Sequence, residues 1–139
     1  MTLRRNAFLR LLKLELRRAA RYNFLASVML LRIDPEVVGG NVTELPRALA
    51  RTVRSTDVLG SLGSGMIGLI VPHADRQTAH RLLARLCLDS PIAALIQRTG
   101  ASIQLGFGIY PTDATTLSGL LSVAFKRLET NHAVQADNA

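Results

Sequence analysis

"VRSTDVLGSLGSGMIGLIVP", Val53 to Pro72, places two apolar runs on either side of a glycine-rich turn. Val58–Leu62 and Met66–Val71 read as strands, and the glycines and serine between them as the turn of a β-hairpin. A charged lead-in, Arg54-Ser55-Thr56-Asp57, precedes the first strand, whereas the turn itself, "GSGMI", contains no carboxylate, histidine or lysine. "GSLGSG" is not a phosphate-cradling P-loop, because no Lys-Ser/Thr pair follows it and a strand, not a helix, comes next.

Outward from the hairpin, helical and extended patterns alternate. "RRNAFLRLLKLELRRAAR" (4–21) puts Phe8, Leu12, Leu16 and Ala19 on one helical stripe and Arg10, Lys13, Arg17 and Arg21 on another. "LASVMLLRI" (25–33) is an apolar run suited to a buried strand. Pro35, Gly39 and Gly40 predict a loop, and Thr43 and Pro46 a short helix over 44–54. Asp75 opens a helix to about Leu88 that buries Ala79, Leu82, Leu83 and Leu86. "ASIQLGFGIY" (101–110) is a further strand, whose Gly106 and Gly108 predict a close backbone approach or a bulge. A last helix spans about Thr116 to Asn131. The pattern predicts an α+β fold, with residues 1–132 as one domain and 133–139 as a loose tail.

The bulk properties narrow the function. The chain has 139 residues, 48% of them hydrophobic, and a formal charge of +7, which suits one domain with a real core. Lys13 and Lys126 are its only lysines, so its excess charge is arginine, the residue whose fork matches phosphates, carboxylates and guanine edges. Much of that excess is a composition bias, and only arginines at meaningful positions count. Cys87 is alone, which excludes an internal disulfide and a cysteine-based zinc site. His73, His80 and His132 lack metal-ligand spacing, and Ser61 and Ser64 lack an adjacent base. No segment reaches membrane-spanning length and no signal-peptide pattern is present, so a cytoplasmic protein is expected. The basic face of the first helix is read as solvated or in contact with another subunit. With no tryptophan and six other aromatics in the chain, stacking platforms for single-stranded nucleic acid are scarce.

The order of elements, together with Asp57-Val-Leu-Gly-Ser-Leu, "GSGMI", "GLIVP" and "SIQLGFGIYP", resembles the GGDEF domain of bacterial diguanylate cyclases over roughly residues 4–128. The resemblance implies a nucleotide-cyclase-like, mainly antiparallel sheet flanked by helices. It also implies that carboxylates from the signature and the first strand should hold two divalent metals against the substrate triphosphate. Here those positions fall on Gly65, Met66 and Arg32, which offer no hard oxygen ligand; Asp34 remains, on Arg32's face of the strand. The segment that reads the substrate guanine in the family is about ten residues shorter here, with no counterpart for its asparagine and aspartate. The resemblance therefore implies no cyclase activity, no catalytic residues, no metal and no cofactor.

What it does retain is a product-binding motif. Arg54 and Asp57 match the family's RxxD, and Arg85 falls where the family has a further arginine on the helix after the hairpin. In the family these residues take up cyclic di-GMP, often as a stacked pair. The expected function is thus a degenerate GGDEF-like receptor for cyclic di-GMP, binding through Arg54, Asp57 and Arg85, with a homodimer or protein partner as the second component and no clear nucleic-acid or membrane signal. Two other readings stay open. Arg54 and Asp57 could form a simple surface ion pair with Arg85 solvated, or the fold could serve as a ligand-free interaction module.

Overall fold

The computed structural model describes residues 2–33, 50–51, 53–54, 56–63, 65–88, 94 and 103–130. Its elements run β1 (Thr2–Leu3), α1 (Arg5–Tyr22), β2 (Ala26–Ile33), β3 (Val58–Gly63), β4 (Met66–Pro72), α2 (Arg76–Leu88), β5 (Ile103–Tyr110) and α3 (Leu117–Thr130). Of the short helix expected over 44–54, only Ala50 and Arg51 are described as helical. Val53 and Arg54 are not helical, so the expected helix does not reach 54; residues 44–49 and 52, Asp34 and the tail 133–139 lie outside the described residues.

The strands form one sheet in the order β1-β3-β4-β2-β5. Only the β1–β3 pair is parallel; β3–β4, β4–β2 and β2–β5 are antiparallel. Alternation along β2 sends Val28 and Leu30 to one face and Met29 and Leu31 to the other. The first pair joins Phe8, Leu12 and Leu16 of α1 and Leu120, Ala124 and Leu128 of α3 in one core. The second joins Ala79, Leu82 and Leu86 of α2, with Ile103, Leu105, Phe107 and Ile109 of β5, in another. The sheet is thus a wall between two cores, with α1 and α3 on one face and α2 on the other.

Glycine sets how closely α1 and α3 approach. Gly60 and Gly68 are direct cross-strand partners on β3 and β4, and the fully buried ring of Phe8 lies over both. A Cβ at either would stand 2.5 Å from a Phe8 ring carbon. On β5, a Cβ at Gly106 would meet the backbone of α3, 2.7 Å from Leu128 N, and one at Gly108 would lie 2.8 Å from Leu120 O. The β2–β5 register is unbroken from Ala26 to Ile33, so these glycines mark a close approach and not a bulge. The bulge lies instead between Ser61 and Gly63, beside the hairpin turn, where Gly63 and Gly65 take φ of 86° and 74°, the left-handed region that glycine enters without strain.

The helix ends follow local chemistry. Asp75 caps α2, its Oδ1 accepting from Thr78 N at 2.8 Å, and Thr116 Oγ1 accepts from Gly119 N at 3.1 Å in the first turn of α3. Asn23 ends α1 in the left-handed conformation. By contrast α1 begins without a side-chain cap or a first-turn acid; burial of its apolar stripe sustains it. Asp113, in the turn after β5, accepts from Arg127 at 2.9 and 3.1 Å, from Arg76 at 3.3 Å and from Ile109 N at 2.9 Å, tying α3 and α2 to the sheet's edge. Among the described residues no helix is long and apolar enough to cross a membrane.

The two kinds of glycine contact predict different sensitivities. Gly106→Ala presses a methyl group into helix backbone that cannot move aside, whereas Gly68→Ala meets a ring that can shift. Urea denaturation should give about 1–3 kcal/mol of destabilisation for Gly68→Ala and a larger loss for Gly106→Ala. Equal losses, or none at Gly106, would contradict the packing described.

Candidate functional site

The R-x-x-D spacing closes a turn. Asp57 N donates to Arg54 O at 3.0 Å, and Arg54 N donates to Asp57 Oδ2 at 2.8 Å. The two residues therefore fasten each other through the backbone just before β3 begins. Val53, immediately upstream, packs on the α2-side core and holds the lead-in down. The Arg54–Asp57 hydrogen bonds thus run through the Arg54 backbone and not its guanidinium, although the charge of Arg54 still acts on the Asp57 carboxylate. Arg54 lines the cavity beside the turn.

That cavity has a volume of about 340 Å³ and lies on the α2 face of the sheet. Arg54 and Asp57 line one side. Arg85 lines the other, joined by Arg81 one turn earlier on the same helical face. His73 and Thr78 complete the polar wall, with Val71, Pro72 and Leu82 as its apolar part. The structure thus brings together all three residues expected from the sequence. Arg81 was missed, although its i−4 spacing from Arg85 was the available signal.

The cavity carries three guanidiniums against one carboxylate, a net of two positive charges. Burial pushes the Asp57 carboxyl above its ordinary range; the Arg54 backbone N–H and the charges of Arg54 and Arg85 offset this only in part. A half-buried carboxylate in this state gains from any donor that reaches it. Such a constellation suits a planar group with a donor edge and an acceptor edge, accompanied by anionic charge.

The opposite face holds the positions where the family resemblance implies metal carboxylates. Arg32 and Met66 are direct cross-strand partners, and Gln104 stands opposite Arg32 on the other side. The row across the sheet therefore reads Met66–Arg32–Gln104. Arg32 Nε donates to Gln104 Oε1 at 2.7 Å, and its Nη2 donates to the same oxygen. A guanidinium repels a divalent cation, a thioether is a poor ligand for a hard one, and Gly65 has no side chain. The residues present at this row do not fit the metal.

No family model and no curated protein matches the chain. Solved structures do. The GGDEF domain of YfiN (TpbB) from Pseudomonas aeruginosa matches with a TM-score of 0.79 at 20% identity, covering 95% of this chain and 87% of that one. A DGC protein from Thermotoga maritima matches with a TM-score of 0.71 at 21% identity, covering 96% of this chain and 97% of that one. A microbial GGDEF domain described in a novel interaction mode with cyclic di-GMP matches with a TM-score of 0.73 at 14% identity, covering 96% and 89%. At these identities the likeness shows the fold: an α+β, GGDEF cyclase-like sheet and helices.

The burial of Asp57 has a stability signature. With its folded pKa raised, the folded state holds its proton more tightly than the unfolded chain. Stability therefore falls as pH rises from the ordinary carboxylate pKa through the raised one, and the loss persists at pH 7. Asp57→Asn keeps an acceptor for Arg54 N but removes the charge. Thermal melts at pH 7 should show the variant at least as stable as the parent, with a flatter acid-side profile. A loss of about 1 kcal/mol or more, the scale of a lost cap, would mean that the carboxylate is there for the fold.

Proposed function

We propose that this chain, over residues 1–132, is a GGDEF-like domain without cyclase activity that works as a receptor for cyclic di-GMP. The observation that carries the reading is the convergence of Arg54, Asp57 and Arg85 on one cavity with a net of two positive charges, which matches the two phosphodiesters of that ligand. Arg54 offers its fork to the O6/N7 edge of a guanine, while Asp57 accepts from the guanine's donor edge. Arg85, with Arg81 beside it, takes a phosphate or a second guanine edge. Some of the chain's structural neighbours are described with cyclic di-GMP, which supports the ligand class.

Lack of turnover follows from the opposite face. Phosphoryl-type transfer from a nucleoside triphosphate needs cations to neutralise developing charge, and the Met66–Arg32 row disfavours holding them. A protein-contact role is the second reading. It is favoured by the exposure of Leu11 and Leu14 on α1, 38% and 46% accessible, beside the basic ridge of that helix.

Calorimetric titration with cyclic di-GMP tests the receptor reading. Binding with a pair of ligands per chain would indicate the stacked form. Arg54→Ala should weaken binding by about 1.5–3 kcal/mol, the scale of bonds to charged groups. Affinity should fall on acidification as Asp57 takes up its proton, at a higher pH than an ordinary carboxylate would. GTP with magnesium or manganese should not be turned over. No heat at high micromolar cyclic di-GMP, or binding that Arg54→Ala leaves unchanged, would overturn this function.

A further inference from the structure

A second and larger cavity, about 550 Å³, lies on the α1/α3 face of the sheet. That volume is within the range of small-molecule sites, and the cavity is separated from Arg54, Asp57 and Arg85 by the sheet itself. Its wall is largely apolar, with Leu9, Leu30, Leu62, Leu121 and Phe125 among its residues. Two guanidiniums interrupt this wall, those of Arg5 and Arg32.

Among the described residues, Arg32 is held in place by uncharged partners. Gln104, an uncharged residue, accepts from its Nε and Nη2, and Phe125 lies 5.8 Å from its guanidinium carbon. This arrangement occupies the inner edge of the guanidinium and leaves the outer Nη1/Nη2 edge, the one that receives a carboxylate bidentately. Among the described residues no carboxylate pairs with Arg32. The first turn of α1, which begins at Arg5, has neither a side-chain cap nor an acidic residue, so its N–H groups add positive potential at the same cavity. Along α3 the wall runs from Ser118 to Phe125, about 10 Å of helix. The cavity is therefore a long apolar slot with an oriented cation that no carboxylate compensates among the described residues.

The geometry points to a binding site for a small amphipathic carboxylate, its head on the outer edge of Arg32 and its apolar chain in the leucine-lined slot. A neutral chain would leave the guanidinium without a counter-charge. A hydrophilic anion would leave the leucine wall uncovered. The ligand class thus follows from both features together, and the site is independent of the cyclic di-GMP reading.

Titration of methyl-labelled protein with decanoate, kept below its micelle concentration, tests this by NMR, with decanol and GTP–magnesium as comparison probes. Saturable shifts at Leu9, Leu30, Leu62 and Leu121 are expected with decanoate. Arg32→Met, which keeps the apolar packing, should weaken decanoate by about tenfold or more, the scale of a charge-assisted pair, and leave the weaker binding of decanol nearly unchanged. Four results would overturn the proposal: no saturable shift in the parent protein, decanol bound as tightly as decanoate with no effect of Arg32→Met, shifts centred on the exposed Leu11 and Leu14 instead of the slot, or binding of GTP–magnesium in the slot in preference to decanoate.

Discussion

The seating of Phe8 over the paired glycines Gly60 and Gly68 is the contact on which the rest of the arrangement depends. With no Cβ on either glycine, a whole aromatic ring fits against the bare backbone of β3 and β4. That contact brings α1 close to the hairpin and fixes which face β3 and β4 present to it. Because side chains alternate, fixing one face fixes the other. Leu59, Ile67 and Leu69 are thereby committed to the α2 side, and the lead-in that ends at Asp57 enters β3 beside α2. The RxxD turn and the arginines of α2 thus meet on the face of the sheet opposite the Phe8 ring.

The two faces have divergent chemistry. On the α2 side, a turn holds one carboxylate half-buried among three guanidiniums, an arrangement suited to a polar, anionic and planar ligand. On the α1/α3 side, Arg32 stands where the family resemblance implies a carboxylate, tied to Gln104 and set over Phe125. A cation at such a position attracts anions rather than metal ions. The glycines at 106 and 108 let α3 lie against β5 and so help to shape the slot around Arg32.

Most of the fold was legible because its signals are local. The 3.6-residue stripe of α1, the apolar run of β2 and the glycine turn of the hairpin each fall within a residue or two of the observed elements. β1 was not legible, since two residues carry no periodicity and gain their identity only from parallel pairing with Leu59 and Gly60. Gly60 and Gly68 fall within the two strands read from the sequence, but their use as the floor beneath the Phe8 ring was not legible, because it requires knowing what packs above them. For the candidate site, Arg54, Asp57 and Arg85 were all singled out through the family resemblance, and the backbone turn that joins Arg54 to Asp57 was not read from the spacing. Arg81 and His73 join the cavity through tertiary placement. The Arg32–Gln104 bond spans 72 positions in sequence, beyond the reach of any local pattern.

Under the proposed receptor function the α2 face, and not the Arg32 face, receives cyclic di-GMP. Amide and arginine side-chain NMR spectra recorded during titration with that ligand would show which face responds. The predicted result is saturable change at Arg54, Asp57, Arg81 and Arg85, with Arg32 and Phe125 unmoved. Changes centred on Arg32, or none at saturating ligand, would contradict it.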